Sequence, residues 1–425
     1  MQKVTGTKDR YFSLLHPLMM LMLCLCALVS CSDSDDDDDA YVESVQAEEE
    51  DTIPERTVMV YVMGENNLSS YASSDIAEMV QGSLYIDEDE HNLIVFVDDN
   101  SSTPPYIMRI VNGQKEVDSV YNAEGNEFYA SHPDSMAAAL TYMMETWPAK
   151  SYGLVLWGHS SGWLISSDTI KTTKYKAYGY DSGKNAGTSG NKWINIPTLA
   201  NVLETLPEHL DFIFADCCNF QCAEVAYELK DVTDIIIGSP AEITGVGAPY
   251  KTVIPALFDT SDTFYEGVID AYYEQIDGDG NRVPLSAIKT SAMSALAEAT
   301  ADIIPLVANP VDVDGIIYYR GYTTSAGWAK PFTDANNLMV MNVSDDTALA
   351  TWQAALDEAV IYKVWTDVWT TSSYVNFDFD YGEETYGGMS MFIPQEIFDT
   401  YSSSYDYNEI IKDMAWYYAA GIDKY

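Results

Sequence analysis

Two stretches decide the fold: "YGLVLWGHSSGW" (Tyr152–Trp163) and "LDFIFADCCNF" (Leu210–Phe220). In the first, an apolar run leads directly into His159, and in the second another apolar run leads into Asp216, Cys217 and Cys218. Short apolar runs bounded by polar residues are typical of buried strands. Ligands bind outside the carboxyl ends of parallel strands. An imidazole and a thiol at two such ends predict a cysteine-nucleophile site.

Strand and helix signals alternate along residues 56–285, which predicts an α/β fold with a largely parallel sheet, right-handed crossovers and helices on both faces. An antiparallel hairpin is expected to turn at Asn112-Gly113. The predicted strands are Thr57 to Met63, Asn92 to Asp99, Gly153 to Trp157, Leu210 to Ala215 and Thr233 to Pro240. Helices are expected at Pro133 to Trp147, Ile196 to Leu206 and Asn219 to Lys230.

Beyond residue 285 the pattern changes to longer helical stretches, with helices expected at Ala292 to Ala308 and Thr347 to Val368. A late apolar strand is expected at Gly387 to Pro394. Residues 286–425 are therefore predicted to form a largely helical C-terminal extension that completes the catalytic domain of residues 56–285.

The N-terminus carries a targeting signal. Residues 1–30 contain a basic start and a twelve-residue apolar run, Leu18 to Val29, which is too short for a spanning helix. Leu28-Val29-Ser30-Cys31 resembles a bacterial lipobox, so Cys31 is the predicted lipidation site. An ordinary secretory signal cut nearby is the alternative.

An acidic tether follows over residues 31–55. Twelve Asp and Glu and no Lys or Arg lie between Ser32 and Glu55, a composition typical of a solvated segment. The Ser/Asp-rich stretch after Cys31 also resembles the export signal of Bacteroidota surface lipoproteins. We therefore expect a lipid-anchored protein of the outer membrane, exposed at the cell surface, with a plain spacer as the alternative interpretation.

Charge and cysteine content exclude several classes of protein. The net charge of −45, with only 21 Lys and Arg among 425 residues, excludes a nucleic-acid partner because phosphate binding needs a basic face. With Cys31 acylated, the mature chain keeps Cys217, Cys218 and Cys222 within six residues. This cluster is neither a disulfide framework nor a zinc site, since no His lies beside it.

Two nucleophiles compete around His159. "GHSSG" (Gly158–Gly162) fits the G-x-S-x-G elbow of serine esterases, with Ser160 as nucleophile. That motif requires a helix directly after it and a later acid and His. The following residues lack helical periodicity, and His209 is the only later histidine.

The cysteine interpretation pairs His159 with Cys218. Cys218 is expected at the start of the next helix, whose dipole would lower the thiol pKa. Strand alternation directs Cys217 and Cys218 to opposite sides, so only one faces the site. The alternative is that all three cysteines are buried packing residues.

These residues resemble the clostripain-type cysteine peptidases, relatives of caspases and gingipains. The family's "DAC…EVAYEL" segment is matched by Asp216-Cys217-Cys218 and by Glu224 to Leu229, which assigns the nucleophile to Cys218. "VYVMGENNL" (Val60–Leu68), "GSPAE…APY" (Gly238–Tyr250) and "GGMSMFIP" (Gly387–Pro394) resemble further family segments in the same order. Where the family often has "NHGGGW", this chain has "GHSSGW".

The resemblance implies a caspase-like fold and a Cys–His dyad that hydrolyses peptide bonds, with His159 as base and Cys218 as nucleophile. The backbone N–H groups of Ser160 and Cys218 are expected to bind the oxyanion. Asp216 lies two residues before Cys218 and should share its side, where it would pair with a substrate Lys or Arg, as in the family. Glu242 is a second candidate acid. A structural role for Asp216, capping a helix or tying a loop, is the alternative.

Five lysines lie between the two catalytic groups: Lys171, Lys174, Lys176, Lys184 and Lys192. An enzyme that cuts after Lys or Arg would find a self-activation site here, and the resemblance implies the same; Lys171, Lys174 and Lys176 are the candidates. A flexible solvated loop is the alternative.

No metal or other cofactor is expected for a Cys–His peptidase. Some relatives depend on calcium, and calcium dependence of this chain stays open. Asp277, Asp279 and Asn281 copy the first EF-hand positions, but Arg282 and Ile288 replace its glycine and closing Glu, so an ordinary polar turn is expected. A surface lipoprotein that keeps the peptidase fold only to bind a partner is the alternative from a different functional class.

Overall fold

The computed structural model describes residues 53–99, 103–121, 129–164, 178–182, 192–279, 283–319, 330–365, 368–370, 376–378, 385–396 and 406–425. Within Thr52–Tyr425, the described residues form one compact unit. The targeting and tether predictions for residues 1–51 lie outside the described residues. Among the described helices, none is long and apolar enough to cross a membrane.

Five parallel strands form the centre of a nine-stranded sheet, in the spatial order β9-β8-β5-β1-β2. They are β1 (Arg56–Met63), β2 (His91–Asp98), β5 (Ser151–Trp157), β8 (Leu210–Asp216) and β9 (Thr233–Gly238). These strands are buried on both faces, which explains their nearly continuous apolar sequences.

Antiparallel strands extend the sheet at both sides. β3 (Tyr106–Val111) and β4 (Gln114–Val120) form a hairpin beside β2, and β10 (Leu285–Lys289) and β12 (Val360–Val364) continue the sheet beyond β9. The hairpin turns at Asn112 and Gly113, which both have positive φ, as a tight two-residue turn requires. The predicted hairpin is thus confirmed.

Helices cover both faces of the sheet. One face packs against α1 (Ser69–Gly82), α5 (Tyr250–Leu257) and α6 (Phe264–Asp279). The opposite face is covered by α2 (Pro133–Thr146), α3 (Ile196–Glu204), α4 (Ala223–Glu228), α7 (Met293–Ile303), α8 (Ala335–Asn342), α9 (Asp346–Ala359), α10 (Tyr407–Ile410) and α11 (Ala415–Ala419). The predicted α/β class, with a mostly parallel sheet between two helical layers, is confirmed.

Side chains of β1 pack alternately against the two helical layers. Met59, Tyr61 and Met63 pack into one core, whereas the intervening valines pack into the other. This alternation follows from the twofold side-chain period of a strand. The same period operates in β8 and decides the direction of each cysteine that follows it.

Two expected helices are shorter than the sequence predicted. The helix expected over Thr347 to Val368 ends at Ala359, and Val360–Val364 forms the edge strand β12 instead. This segment is rich in β-branched and aromatic residues, and pairing with β10 gives its backbone partners that local periodicity does not reveal. The helix expected from Asn219 begins only at Ala223.

Three short pairs of strands lie outside the main sheet. β6 (Tyr178–Asp181) pairs with β7 (Lys192–Ile194) near the carboxyl end of β5. β11 (Thr333–Asp334) pairs with β15 (Ser390–Met391), and β13 (Val368–Thr370) pairs with β14 (Asn376–Asp378). The late strand expected over Gly387 to Pro394 is thus only two residues long, and its Ser390 N–H donates to Gln221 O at 3.0 Å.

Candidate active site

The register of two central strands brings His159 and Cys218 to the same edge of the sheet. β5 and β8 are parallel neighbours, and their last paired residues are Trp157 and Asp216. His159 lies two residues after Trp157, and Cys218 lies two residues after Asp216. Because neighbouring strands are about 4.8 Å apart, this register brings the backbones of His159 and Cys218 to adjacent positions at the sheet edge.

His159 is held by its backbone and by its ring. Its carbonyl accepts a hydrogen bond from Gly179 N at 2.8 Å, and its Nε2 lies 2.9 Å from Asn67 Oδ1. The ring also meets the edge of Tyr180, with 6.2 Å between centroids. Gly158 allows the chain to turn here, because its φ is +147° and a Cβ would lie 3.1 Å from Met63 O.

The two adjacent cysteines lie on opposite faces of the sheet, as strand alternation predicted. Cys217 is 1% exposed and packs into the α2–α4 side of the core, whereas Cys218 is half-buried and contacts the α1–α5 side. Burial raises the pKa of the Cys217 thiol well above its usual range. Of these two, only Cys218 combines access with a position at the strand end; its Sγ lies 3.8 Å from Ile243 O.

The bend after Cys218 separates the thiol from the next helix. Asn219 has a φ of +53°, which a helix cannot continue through, and its N–H donates to Ala241 O at 2.9 Å. Helix α4 begins at Ala223 with Cys222 as its N-cap. The expectation that Cys218 lies at a helix start and gains from its dipole is therefore wrong, because dipole effects fade within the first turn.

Ser160 does not occupy a nucleophile elbow. Its backbone forms an isolated bridge with Tyr178, and a turn at Ser161–Leu164 follows instead of a helix. Its Oγ accepts a hydrogen bond from Gly162 N at 3.0 Å and also bonds to the Cys217 thiol. The hydroxyl thus stabilises the turn after His159.

Asp216 lies on the same side of the sheet as Cys218, and it is 4% exposed. Its carboxylate oxygens both accept from Ala248 N at 3.1 Å, and one accepts from the Tyr250 hydroxyl at 2.9 Å. Burial raises the pKa of Asp216 to about 6, although these donors favour the ionised form. Asp216 therefore ties the loop before α5 to the strand end next to Cys218.

A second buried acid lies behind Asp216. Asp75 of α1 accepts a hydrogen bond from Trp157 Nε1 at 2.7 Å, and burial followed by the charge of Asp216 raises its pKa to about 9. Glu242, the other predicted substrate-binding acid, is 9% exposed, and its N–H donates to Tyr319 O at 3.3 Å.

Asn66 and Asn67 are site residues that the sequence analysis missed. Both follow the end of β1, the strand beside β5, and Asn67 contacts the ring of His159. The signal was available: "ENN" follows a buried strand in the same way that His159 and Cys218 follow theirs. An uncharged amide is not by itself a sign of catalysis, and only the contact with His159 marks Asn67 as part of the site.

Three buried carboxyl groups meet at the ends of β1, β2 and β6. One oxygen each of Glu65, Asp98 and Asp181 lies within 4.8 Å of the others, a spacing that fits a metal ion. Ala130 N donates to Asp181 at 2.6 Å, and Ser182 Oγ donates to Glu65. Burial raises the pKa of Asp98 well above its usual range, and Asp98 shares a hydrogen bond with Asp181.

The other predicted residues lie elsewhere. Asp277 and Asp279 fall in the last turn of α6 rather than in a polar turn, which corrects that expectation. Lys192 begins β7. Cys31, Lys171, Lys174, Lys176, Lys184 and Asn281 lie outside the described residues.

A model of the clostripain family matches residues 60–424, which is most of the chain. The chain belongs to the clostripain family. It is therefore a cysteine protease, and the serine-esterase alternative is set aside. No curated protein matches the chain.

Solved structures of clostripain-family proteases share the fold. A secreted C11 cysteine protease from Bacteroides thetaiotaomicron, in complex with an irreversible peptide inhibitor, is 31% identical, with a TM-score of 0.73 over 87% of this chain and 100% of that chain. An inactive zymogen C11 protease from Parabacteroides distasonis is 24% identical, with a TM-score of 0.71 over 87% of this chain and 99% of that chain. The caspase-like fold is thereby confirmed.

Proposed function

We propose that this clostripain-family protease is an endopeptidase with a Cys218–His159 dyad. The observation that carries the proposal is the register of β5 and β8, which end in paired positions two residues before His159 and Cys218. The half-buried state of Cys218 supports it as the nucleophile, since the buried Cys217 and Cys222 thiols have pKa values raised by burial. A thiol needs an adjacent base and access to substrate to act.

In the proposed reaction, His159 takes the Cys218 proton and the thiolate attacks the scissile carbonyl. The backbone N–H groups of Ser160 and Cys218 stabilise the oxyanion, a contribution of about 10²- to 10³-fold in rate for each donor. His159 then protonates the leaving amine, and water hydrolyses the acyl-enzyme. No chemical step of the dyad uses a metal, and we propose that the activity also survives chelation.

We propose cleavage after Lys or Arg, with Asp216 as the main specificity acid and Glu242 as a second. Asp216 shares the face of Cys218 and lies at the same strand end. The pKa of Asp216 is shifted by burial, by three hydrogen-bond donors and by the anionic Glu78. None of these groups is a cation. A substrate ammonium or guanidinium would supply the missing countercharge and offset the desolvation of the carboxylate.

We further propose that cleavage at Lys171, Lys174 or Lys176 activates the enzyme. The lysines precede β6, the strand that holds His159, so a cut there would act next to the catalytic imidazole. The Parabacteroides relative with the same fold is described as an inactive zymogen. We also propose that the protein is anchored in the outer membrane through lipidated Cys31.

The test is peptide hydrolysis by the purified protein, with Lys, Arg, Ala or Asp at P1. Cys218→Ala is compared with Cys217→Ala, a matched control because the two thiols are neighbours on opposite faces. We expect cleavage after Lys and Arg that is lost in Cys218→Ala and kept in Cys217→Ala, with or without a chelator. The active protein should also convert into two associated fragments on incubation, while Cys218→Ala stays intact.

Each outcome has a distinct meaning. Full activity in Cys218→Ala would remove this residue as nucleophile. Cleavage only after Ala or Asp would keep the dyad and overturn the specificity of Asp216. Full activity of an uncut chain would overturn self-activation. Loss of activity on chelation, with recovery on adding calcium, would overturn the proposed survival of chelation and leave the dyad in place.

A further inference from the structure

The loop after β1 determines which nitrogen of His159 carries the proton. Asn67 Oδ1 lies 2.9 Å from His159 Nε2. An amide oxygen accepts hydrogen bonds, so this contact assigns Nε2 as the donor and therefore as the protonated nitrogen. In the neutral ring the lone pair then lies on Nδ1, which is the nitrogen able to act as a base.

The neighbouring residue Asn66 holds the loop that carries Asn67. The Asn66 side chain makes three hydrogen bonds: Nδ2 donates to Met63 O at 3.0 Å and to Tyr180 O at 2.5 Å, and Oδ1 accepts from Leu68 N at 2.8 Å. These bonds fix the loop both to the end of β1 and to strand β6. Asn67 thus projects from a loop whose backbone has few alternatives.

Strand β6 also holds His159. Gly179 N donates to the His159 carbonyl at 2.8 Å, and the Tyr180 ring contacts the imidazole through its edge. The loop that carries Asn67 and the backbone of His159 are consequently both hydrogen-bonded to Tyr178–Asp181, the first through Asn66. A shared support of this kind favours one geometry between the amide oxygen and the imidazole.

We propose that Asn67 is a positioning residue that sets the tautomer and orientation of the His159 base. The proton of the Cys218 thiol moves to Nδ1, which breaks the S–H bond and leaves a thiolate and an imidazolium. Asn67 Oδ1 keeps its hydrogen bond to Nε2–H, and this bond strengthens when the ring becomes charged. The inference rests on the proposed roles of His159 and Cys218.

The first test compares Asn67→Ala with Asn201→Ala, an exposed asparagine on α3 far along the sheet from His159. We expect Asn67→Ala to lower kcat by about 10- to 100-fold with KM unchanged, as typical for the loss of a group that orients a histidine. Asn201→Ala should keep the parent values. Thermal unfolding checks that both variants fold.

The pH profile separates a positioning role from a merely structural one. The acidic limb of kcat/KM reports the protonation of the neutral imidazole that acts as the base. Asn67→Ala removes an acceptor from Nε2–H and should move this limb to lower pH. Asn67→Asp places a carboxylate beside Nε2 and should move it upward by about one pH unit, while recovering part of the lost rate.

Unchanged kcat and an unchanged acidic limb in Asn67→Ala would overturn the proposal. So would a shift of both variants in the same direction, since only a direct bond to Nε2 makes their effects opposite. His159→Ala separates failure of the proposed dyad from failure of the proposed role of Asn67. If it remains active, the proposed dyad fails; if it is inactive while Asn67→Ala is normal, only the role of Asn67 fails.

Discussion

At the scale of single residues, environment rather than residue type separates neighbours in this site. Cys217 and Cys218 are adjacent and chemically identical, yet one lies within the core and the other at the strand end. Asp216 and Asp75 are likewise two aspartates, but burial raises the pKa of the first to about 6 and that of the second to about 9. At neutral pH, therefore, Asp216 is ionised and Asp75 is protonated.

The pKa of Asp216 predicts how P1 preference depends on pH. Below about 6 the carboxyl group gains a proton and loses its attraction for a substrate cation. The ratio of kcat/KM for a Lys substrate to that for an Ala substrate should fall with decreasing pH, approaching about tenfold per pH unit. Taking a ratio cancels the titration of the dyad, which acts on both substrates alike.

Asp216→Asn is the control for this experiment. Its ratio should be low at every pH, because an amide carries no charge to lose. A Lys-to-Ala ratio that does not change with pH in the parent protein would show that another group binds the P1 side chain, with Glu242 the next to be substituted.

At the scale of elements, the residues of the site follow strand ends, and neighbouring elements hold their side chains in place. Three neighbouring strands are each followed by a residue of the site: Asn67 after β1, His159 after β5 and Cys218 after β8. Helix α1 also contacts the end of β5, because its Asp75 accepts a hydrogen bond from the Trp157 indole N–H. The packing of α1 thus supports the strand that carries His159.

The protonated state of Asp75 predicts how stability varies with pH. Its pKa is about 9 in the folded protein against an ordinary aspartate value of 3.8, so between these values the folded state holds a proton that the unfolded state releases. Stability contributed by this group is present at low pH and is lost as pH rises through that window. Asp75→Asn keeps an acceptor for Trp157 and removes the titration.

The measurement is Tm of parent and Asp75→Asn at about pH 5 and about pH 8, both inside the window. We expect the Tm of the variant to rise relative to that of the parent at the higher pH, by about 1 °C for each kcal/mol of destabilisation removed, because a unit of this size has a large unfolding entropy. Glu145→Gln, an exposed change on α2, should follow the parent at both pH values. Parallel curves for parent and Asp75→Asn would contradict a protonated Asp75.

At the scale of the whole molecule, the proposed anchor and the catalytic unit are separate parts of the chain. Every described strand and helix falls within Thr52–Tyr425, a compact unit with its own cores, whereas Cys31 precedes it. The chain carries a net charge of −45, with an acidic run directly after Cys31. A solvated acidic segment tethers a folded unit without packing against an apolar surface.

This separation predicts the behaviour of Cys31→Ala in a bacterial host that processes lipoproteins. The variant should leave the membrane fraction, while its kcat/KM on peptides equals that of the parent protein. Cys26→Ala, within the apolar run of the signal, should remain membrane-associated. Membrane attachment that persists in Cys31→Ala would show that a different segment holds the protein.

The sequence alone predicted the central sheet, its two helical layers and the two strand ends that carry His159 and Cys218. These predictions rest on local properties: strands buried on both faces are continuously apolar, and an abrupt change to polar residues marks where each ends. The opposite directions of Cys217 and Cys218 followed from the same local rule, because side chains alternate along a strand. The hairpin turn at Asn112 and Gly113 was predictable because only a few residues tolerate positive φ.

Tertiary structure alone decided what depends on contacts between distant segments. Val360–Val364 forms an edge strand because β10 offers it a partner, and the helix after Cys218 starts late because Asn219 bonds to residues 240 and 241. The raised pKa values of Asp75 and Asp216 come from burial by helices and loops that are far apart in sequence. The contact of Asn67 with His159 joins residues 92 positions apart. Local patterns fix where strands begin and end, whereas hydrogen-bond partners and desolvation exist only once the chain has packed.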